Sequence, residues 1–141
     1  MSSVNISQIK SSLRQYILGR IAKHPPDEPV KFIEFGYEVC QGGLFCVFFD
    51  TRPDAGPDGT WTVRLEGNSI DMPEWPELSE QMGDDFGIEL GETIKNLVIE
   101  LRENGNFEAL PKQDGCEFGI EEMNGIYGWP IWEDRRKENL A

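Results

Sequence analysis

Basic residues are scarce in this sequence: 13 Lys and Arg stand against 26 Asp and Glu, for a formal net charge of −13 over 141 residues. Affinity for nucleic acid rests mainly on Lys and Arg neutralising phosphates, so no nucleic acid partner is expected. The same charge repels anionic bilayers, and no apolar run approaches the roughly 20 residues of a membrane-spanning helix, so no membrane partner is expected either. The opening Met1-Ser-Ser-Val-Asn5 lacks the basic segment and apolar stretch of a secretory signal. Cysteine is limited to Cys40, Cys46 and Cys116, an odd number without metal-ligand spacing. These read as buried thiols of a reducing, cytoplasmic setting, and none has the adjacent cation that would activate a thiolate.

Catalytic signatures are missing as well. The chain contains no Gly-rich phosphate loop, no HExxH and no GxSxG. The single histidine, His24, precedes Pro25 at the end of a helical stretch, where an imidazolium suits the helix C-terminus. Asp50, Asp54 and Asp58 share a Gly/Pro loop, but their spacing departs from that of a calcium-binding EF-hand loop. The pairs Glu74 with Glu77 and Glu121 with Glu122 carry little information among 26 acidic residues. General acid–base work needs one carboxyl of a pair held in a site that shifts its pKa. The expectation is therefore a non-enzyme with no cofactor and no metal site.

What is present describes one folded domain over residues 1–141, with 133–141 as a charged tail. Hydrophobic residues make up 38% and aromatics 11%, too many for a wholly disordered chain. Ile6, Ile9, Leu13, Tyr16, Ile17 and Ile21 recur at helical spacing, with Asn5 as N-cap and Pro25-Pro26 as the stop. The other side of this helix carries Lys10, Arg14, Arg20 and Lys23. Alternation places Ile33, Phe35, Tyr37 and Val39 on one face of a strand, and Gly42-Gly43 suggests a tight hairpin into Leu44–Phe49. A two-residue loop there would pair Val39 with Cys46 and Tyr37 with Phe48. Thr60–Leu65 reads as a third strand and Ser69–Met72 as a short fourth. A second helix is expected from about Ile88 to Glu103, with the stripe Leu90, Ile94, Leu97, Val98 and Leu101. A second hairpin turns at Asn124-Gly125. The fold class is α+β: a mainly antiparallel sheet of five to six strands with two main helices packed on it.

Charge is distributed unevenly along the chain. Between Arg64 and Lys95 there is no Lys or Arg, whereas nine carboxylates from Glu66 to Glu92 fall there. Such a run suits steered capture of a basic surface. The partner-binding candidates are Asp71, Glu74, Trp75, Glu77, Glu80, Asp84 and Asp85, with Trp75 as anchor inside an acidic rim. The other reading of Trp75 places it in the core, as most Trp are. A second aromatic element, Tyr127-Gly-Trp-Pro-Ile-Trp132, is either an edge that binds a partner or a seal over the core.

The acidic run Glu66–Glu92, the Trp/Pro elements Glu74-Trp-Pro-Glu77 and Gly128-Trp-Pro-Ile-Trp132, and the compact α+β layout give the chain a likeness. It resembles the small acidic immunity proteins of bacterial polymorphic-toxin and contact-dependent inhibition systems. The resemblance implies a protein that neutralises a basic toxin domain by direct contact, without catalysis. The alternatives are a small enzyme whose site is not visible in sequence, and a structural or regulatory subunit docking by its aromatic C-terminal hairpin.

Overall fold

The computed structural model describes residues 6–23, 25–51 and 69–132. The chain is α+β. In order it forms α1 (Ile6–Lys23), β1 (Val30–Glu38), β2 (Leu44–Asp50), β3 (Ser69–Asp71), α2 (Trp75–Met82), α3 (Asp84–Glu103), β4 (Lys112–Glu122) and β5 (Gly128–Trp132). The expected Asn5 cap, His24, the Thr60–Leu65 strand, Asp54, Asp58 and the tail 133–141 lie outside the described residues.

The strands form a mixed sheet in the order β3-β2-β1-β4-β5. The expectation of a mainly antiparallel sheet of five to six strands is not met, because β1 and β4 run parallel at its centre, with Phe35 opposite Ile120. A parallel neighbour requires a long crossover, and the α2–α3 segment supplies it between β3 and β4. Three helices rather than two main ones are described. The additional helix, α2, falls in the Trp/Pro-rich stretch that shows no period in sequence. Pro76 sits in its first turn, where the missing N–H costs nothing. Gly83, at φ 69°, then separates α2 from α3, which begins at Asp84 rather than Ile88.

The helices cover one sheet face. Ile33, Phe35, Tyr37 and Val39 of the β1 side and Phe45, Val47 and Phe49 of β2 meet Leu13 and Ile17 of α1 and the stripe Phe86, Leu90, Ile94, Leu97, Val98 and Leu101 of α3. Period two in the strands and near-3.6 in the helices turn these side chains inward together. The Tyr37 hydroxyl donates to Gly87 O at 2.7 Å, tying β1 to α3 through the core. Most of the basic side of α1 is engaged, Lys23 alone of its four cations being exposed. Lys10 and Arg14 both pair with Glu100 of α3, and Arg20 is buried with its guanidinium 4.8 Å from the Phe49 ring centre.

The first hairpin also differs from expectation. Tyr37 pairs with Phe45, Gly36 with Cys46 and Glu38 with Leu44, so the connection is 39–43 and not two residues. The cause is Glu38, whose carboxylate gathers the amides of that connection, as described below. Gly43 takes φ 75°, and a Cβ there would collide with Met72 O, which lies against it where β3 leads into α2. The pairing expected from Gly-Gly chemistry is thus replaced by a wider loop.

Two helical glycines make opposite predictions. Gly19 in α1 has nothing within 4 Å of where a Cβ would stand, so Gly19→Ala is expected to stabilise the fold by about 0.5–1 kcal/mol. Gly91 in α3 lies under the Tyr127 ring, and a Cβ would come within 2.5 Å of Tyr37 Oη. Gly91→Ala is therefore expected to destabilise by about 1–3 kcal/mol despite the better helix propensity. Urea unfolding midpoints check both signs.

Candidate functional site

The carboxylates singled out in the sequence come from successive elements along one stretch. Asp71 ends β3, Glu74 precedes α2, Glu77 and Glu80 lie on α2, and Asp84 and Asp85 open α3. All six are exposed. Their positions have a local cause. Glu77 occupies the first turn of α2, and Asp84 and Asp85 the first turn of α3, where the N-terminal partial positive charge of a helix favours anions. Only Gly83 separates the two helices, so these exposed carboxylates lie on consecutive elements of the chain.

Trp75 does not belong to that surface. It is 1% exposed and packs edge-on against Tyr37 and Phe86, with ring centroids 6.5 and 6.4 Å away. The anchor role expected of Trp75 is corrected to a core role: the first turn of α2 directs the indole inward, while Glu74 and Glu77 face water. The apolar group that does stand among these carboxylates is Ile88, 43% exposed. Sequence reasoning missed it, although the signal was available. Ile88 lies two residues before Leu90, about 200° around the helix from the buried stripe. At helical spacing it shares its face with Asp84, Asp85 and Glu92. Glu92 in turn accepts from Tyr127 Oη at 2.7 Å and lies 3.7 Å from Lys95 Nζ.

A second group of carboxylates is buried. Glu38 and Glu122 sit side by side at the ends of the parallel strands β1 and β4, 8% and 0% exposed. Glu38 Oε2 accepts from the amides of Cys40 (2.8 Å) and Gln41 (2.6 Å), and Oε1 from Gly42 (2.9 Å) and Gly43 (3.1 Å). Glu122 Oε1 accepts from Asn124 N (2.6 Å) and Ile126 N (3.3 Å), and Oε2 from Val39 N (3.2 Å). Asn124 Nδ2 bridges the two, donating to Glu38 Oε2 at 2.9 Å and Glu122 Oε2 at 3.1 Å. The pair therefore holds both the 39–43 loop and the turn after β4. Glu121, its neighbour in sequence, points the other way and is exposed.

With Cys40, these two carboxylates are the described residues that bring three metal-type donor atoms within 4.8 Å of one another. The donor set does not suit a cation. Each carboxylate oxygen already accepts at least two N–H groups, and a metal would have to displace amides that have no other partner in the loop. Burial raises the Glu38 carboxyl, but the amides of Gly42, Gly43 and Gln41 and the Asn124 side chain outweigh it and hold it down at about 2. This is the behaviour of a structural anion rather than of a proton donor.

Of the remaining sequence candidates, Cys46 is buried and Cys116 half-buried, with burial as the leading cause that pushes the Cys116 thiol up to about 11. Cys40, expected to be buried, is exposed, because residue 40 lies in the loop that Glu38 organises. None of the three is in a disulfide. Asp50 is buried at the end of β2. The side chains of Trp129 and Trp132 lie outside the described residues, while their backbone pairs with β4 at Ile120 and Phe118. No described helix is long and apolar enough to cross a membrane. Comparison of the chain with protein-family models, with curated proteins and with solved structures finds no match.

The Glu38 geometry fixes the sign of one pH effect. Its folded pKa of about 2 lies below the ordinary 4.5, so its contribution is full above that ordinary value and lost as pH falls towards 2. Glu38→Gln puts an NH2 group among N–H donors, and is expected to cost about 2–4 kcal/mol at neutral pH. It should also flatten the decline in stability between about pH 5 and pH 2. Urea unfolding across that range, wild type against Glu38→Gln, checks both.

Proposed function

We propose that this chain is a non-enzymatic binding protein that docks a basic protein partner on the acidic face of β3, α2 and the start of α3. The observation that carries this reading is the exposure of Asp71, Glu74, Glu77, Glu80, Asp84 and Asp85 on consecutive elements, within a segment free of Lys and Arg. Like charges gathered this way cost the fold through self-repulsion, and their physical use is to steer and orient an oppositely charged surface. Ile88 takes the place of Trp75 as the apolar contact inside the acidic rim. The most concrete form of the proposal is an immunity protein that neutralises a basic toxin domain in the cytoplasm by covering it. The buried carboxylates are committed to the scaffold and leave the exposed ones as the working groups.

The test uses the native partner, purified after capture at low salt. Association should slow by roughly tenfold or more as salt is raised from about 50 to about 500 mM. Joint reversal by Glu74→Lys, Glu77→Lys and Glu80→Lys should slow it similarly at low salt. Ile88→Ala should act on dissociation instead, weakening the complex by about 1–2 kcal/mol. For the immunity form, co-expression should protect cells from the toxic partner, and the triple reversal should lose that protection. Association indifferent to both salt and charge reversal would remove the acidic face from the mechanism.

A further inference from the structure

The bridge between the buried carboxylates is an Asn followed by Gly, and that pair has chemistry of its own. In an Asn-Gly sequence the Gly nitrogen attacks the Asn side-chain carbonyl with unusual ease, because no side chain shields it. Here the fold itself demands the Gly. Gly125 adopts φ 86°, a backbone conformation that other residues resist. The same turn holds both reacting groups in place. Gly125 N donates to Glu122 O at 2.9 Å, and the amide that would leave, Asn124 Nδ2, is held by Glu38 and Glu122.

From this geometry we infer that Asn124 is a gated deamidation site, protected while the carboxylate bridge is closed and disabling that bridge once it reacts. In the reaction, Gly125 N gives up its proton and bonds to Asn124 Cγ, and Nδ2 departs with that proton as ammonia. One water then opens the resulting succinimide to aspartate or isoaspartate. No oxidant or other reagent is consumed. The product replaces the side-chain donor that bridges Glu38 and Glu122 with a third carboxylate. A buried pair that relied on a shared N–H then faces like charge. The turn it held carries Ile126, which packs over Gly87, and Tyr127, which packs over Gly91 and donates to Glu92. Deamidation would therefore loosen the end of the sheet that braces the N-terminal half of α3.

The experiment follows the peptide containing Asn124 by mass spectrometry, in the native protein and in the same chain unfolded in urea, at mildly alkaline pH. Native deamidation is expected to be slower by at least about tenfold, since it must await local opening. Equal rates would overturn the gating. The effect of the product is read from melting temperatures. Asn124→Ala removes the donor, whereas Asn124→Asp removes it and adds charge, so Asn124→Asp should melt lower or fail to fold where Asn124→Ala folds. Equal melting, or the reverse order, would overturn the like-charge argument. If neither variant folds, wild-type protein aged and separated by charge decides: the deamidated fraction must melt below the unmodified one, and equal melting again overturns the argument.

Discussion

The structure depends on a carboxylate, that of Glu38, buried where a strand ends and surrounded by N–H groups. A buried anion is costly unless hydrogen bonds replace its lost water, and a loop with unpaired amides is costly for the converse reason. Each deficit removes the other. The 39–43 loop has no ladder to join, so its four amides at Cys40, Gln41, Gly42 and Gly43 converge on Glu38. Glu122 does the same for Val39, Asn124 and Ile126, and Asn124 links the two. Because β1 and β4 are parallel neighbours, both anions arrive at the same end of the sheet. That end then positions Gly43 against Met72, where β3 leads into α2, and Tyr127 against α3.

This arrangement sets two kinds of carboxylate apart among the described residues. A few are enclosed and spend their lone pairs on the backbone; Glu38 and Glu122 are the best-defined. Others, from Asp71 to Asp85, face water and project a field. The division explains how a chain with such an excess of charge builds a core of Phe, Ile, Leu and Trp although its acidic segment contains no Lys or Arg. Its few cations are used locally: Lys10 and Arg14 join α1 to α3 through Glu100, and Arg20 lies over Phe49. The functional proposal draws only on the second kind of carboxylate, with Ile88 as the apolar group beside it.

Elements with a strong local period were legible in the sequence. The α1 stripe and the alternation in β1 were readable because each turns an apolar face to the core, whereas the short β3, with only Ile70 half-buried, and the second hairpin were readable from the turn-forming residues beside them in sequence. The α2 helix was not, since its eight residues hold a single buried side chain, Trp75, and a proline. The parallel pairing of β1 with β4 was hidden for another reason: nearest neighbours in sequence suggest hairpins, and nothing local records a crossover. The hairpin register failed because Gly42-Gly43 is ordinary two-residue turn chemistry, and the competing influence is a side chain, Glu38, that looks like any other acid. At the candidate site the exposed carboxylates were legible by composition. The exchange of Trp75 for Ile88 depends on which helix face each residue occupies, which composition does not record.

The most direct test of this division of labour is hydrogen exchange, measured on the protein alone and bound to its partner. The amides of Cys40, Gln41, Gly42, Gly43, Asn124 and Ile126 should exchange as slowly as those of β1 in both states, although they lie in connections. Protection gained on binding should fall on α2 and the first half of α3. Fast exchange in the Glu38 loop, or binding protection centred on β5 and away from α2 and α3, would contradict the account.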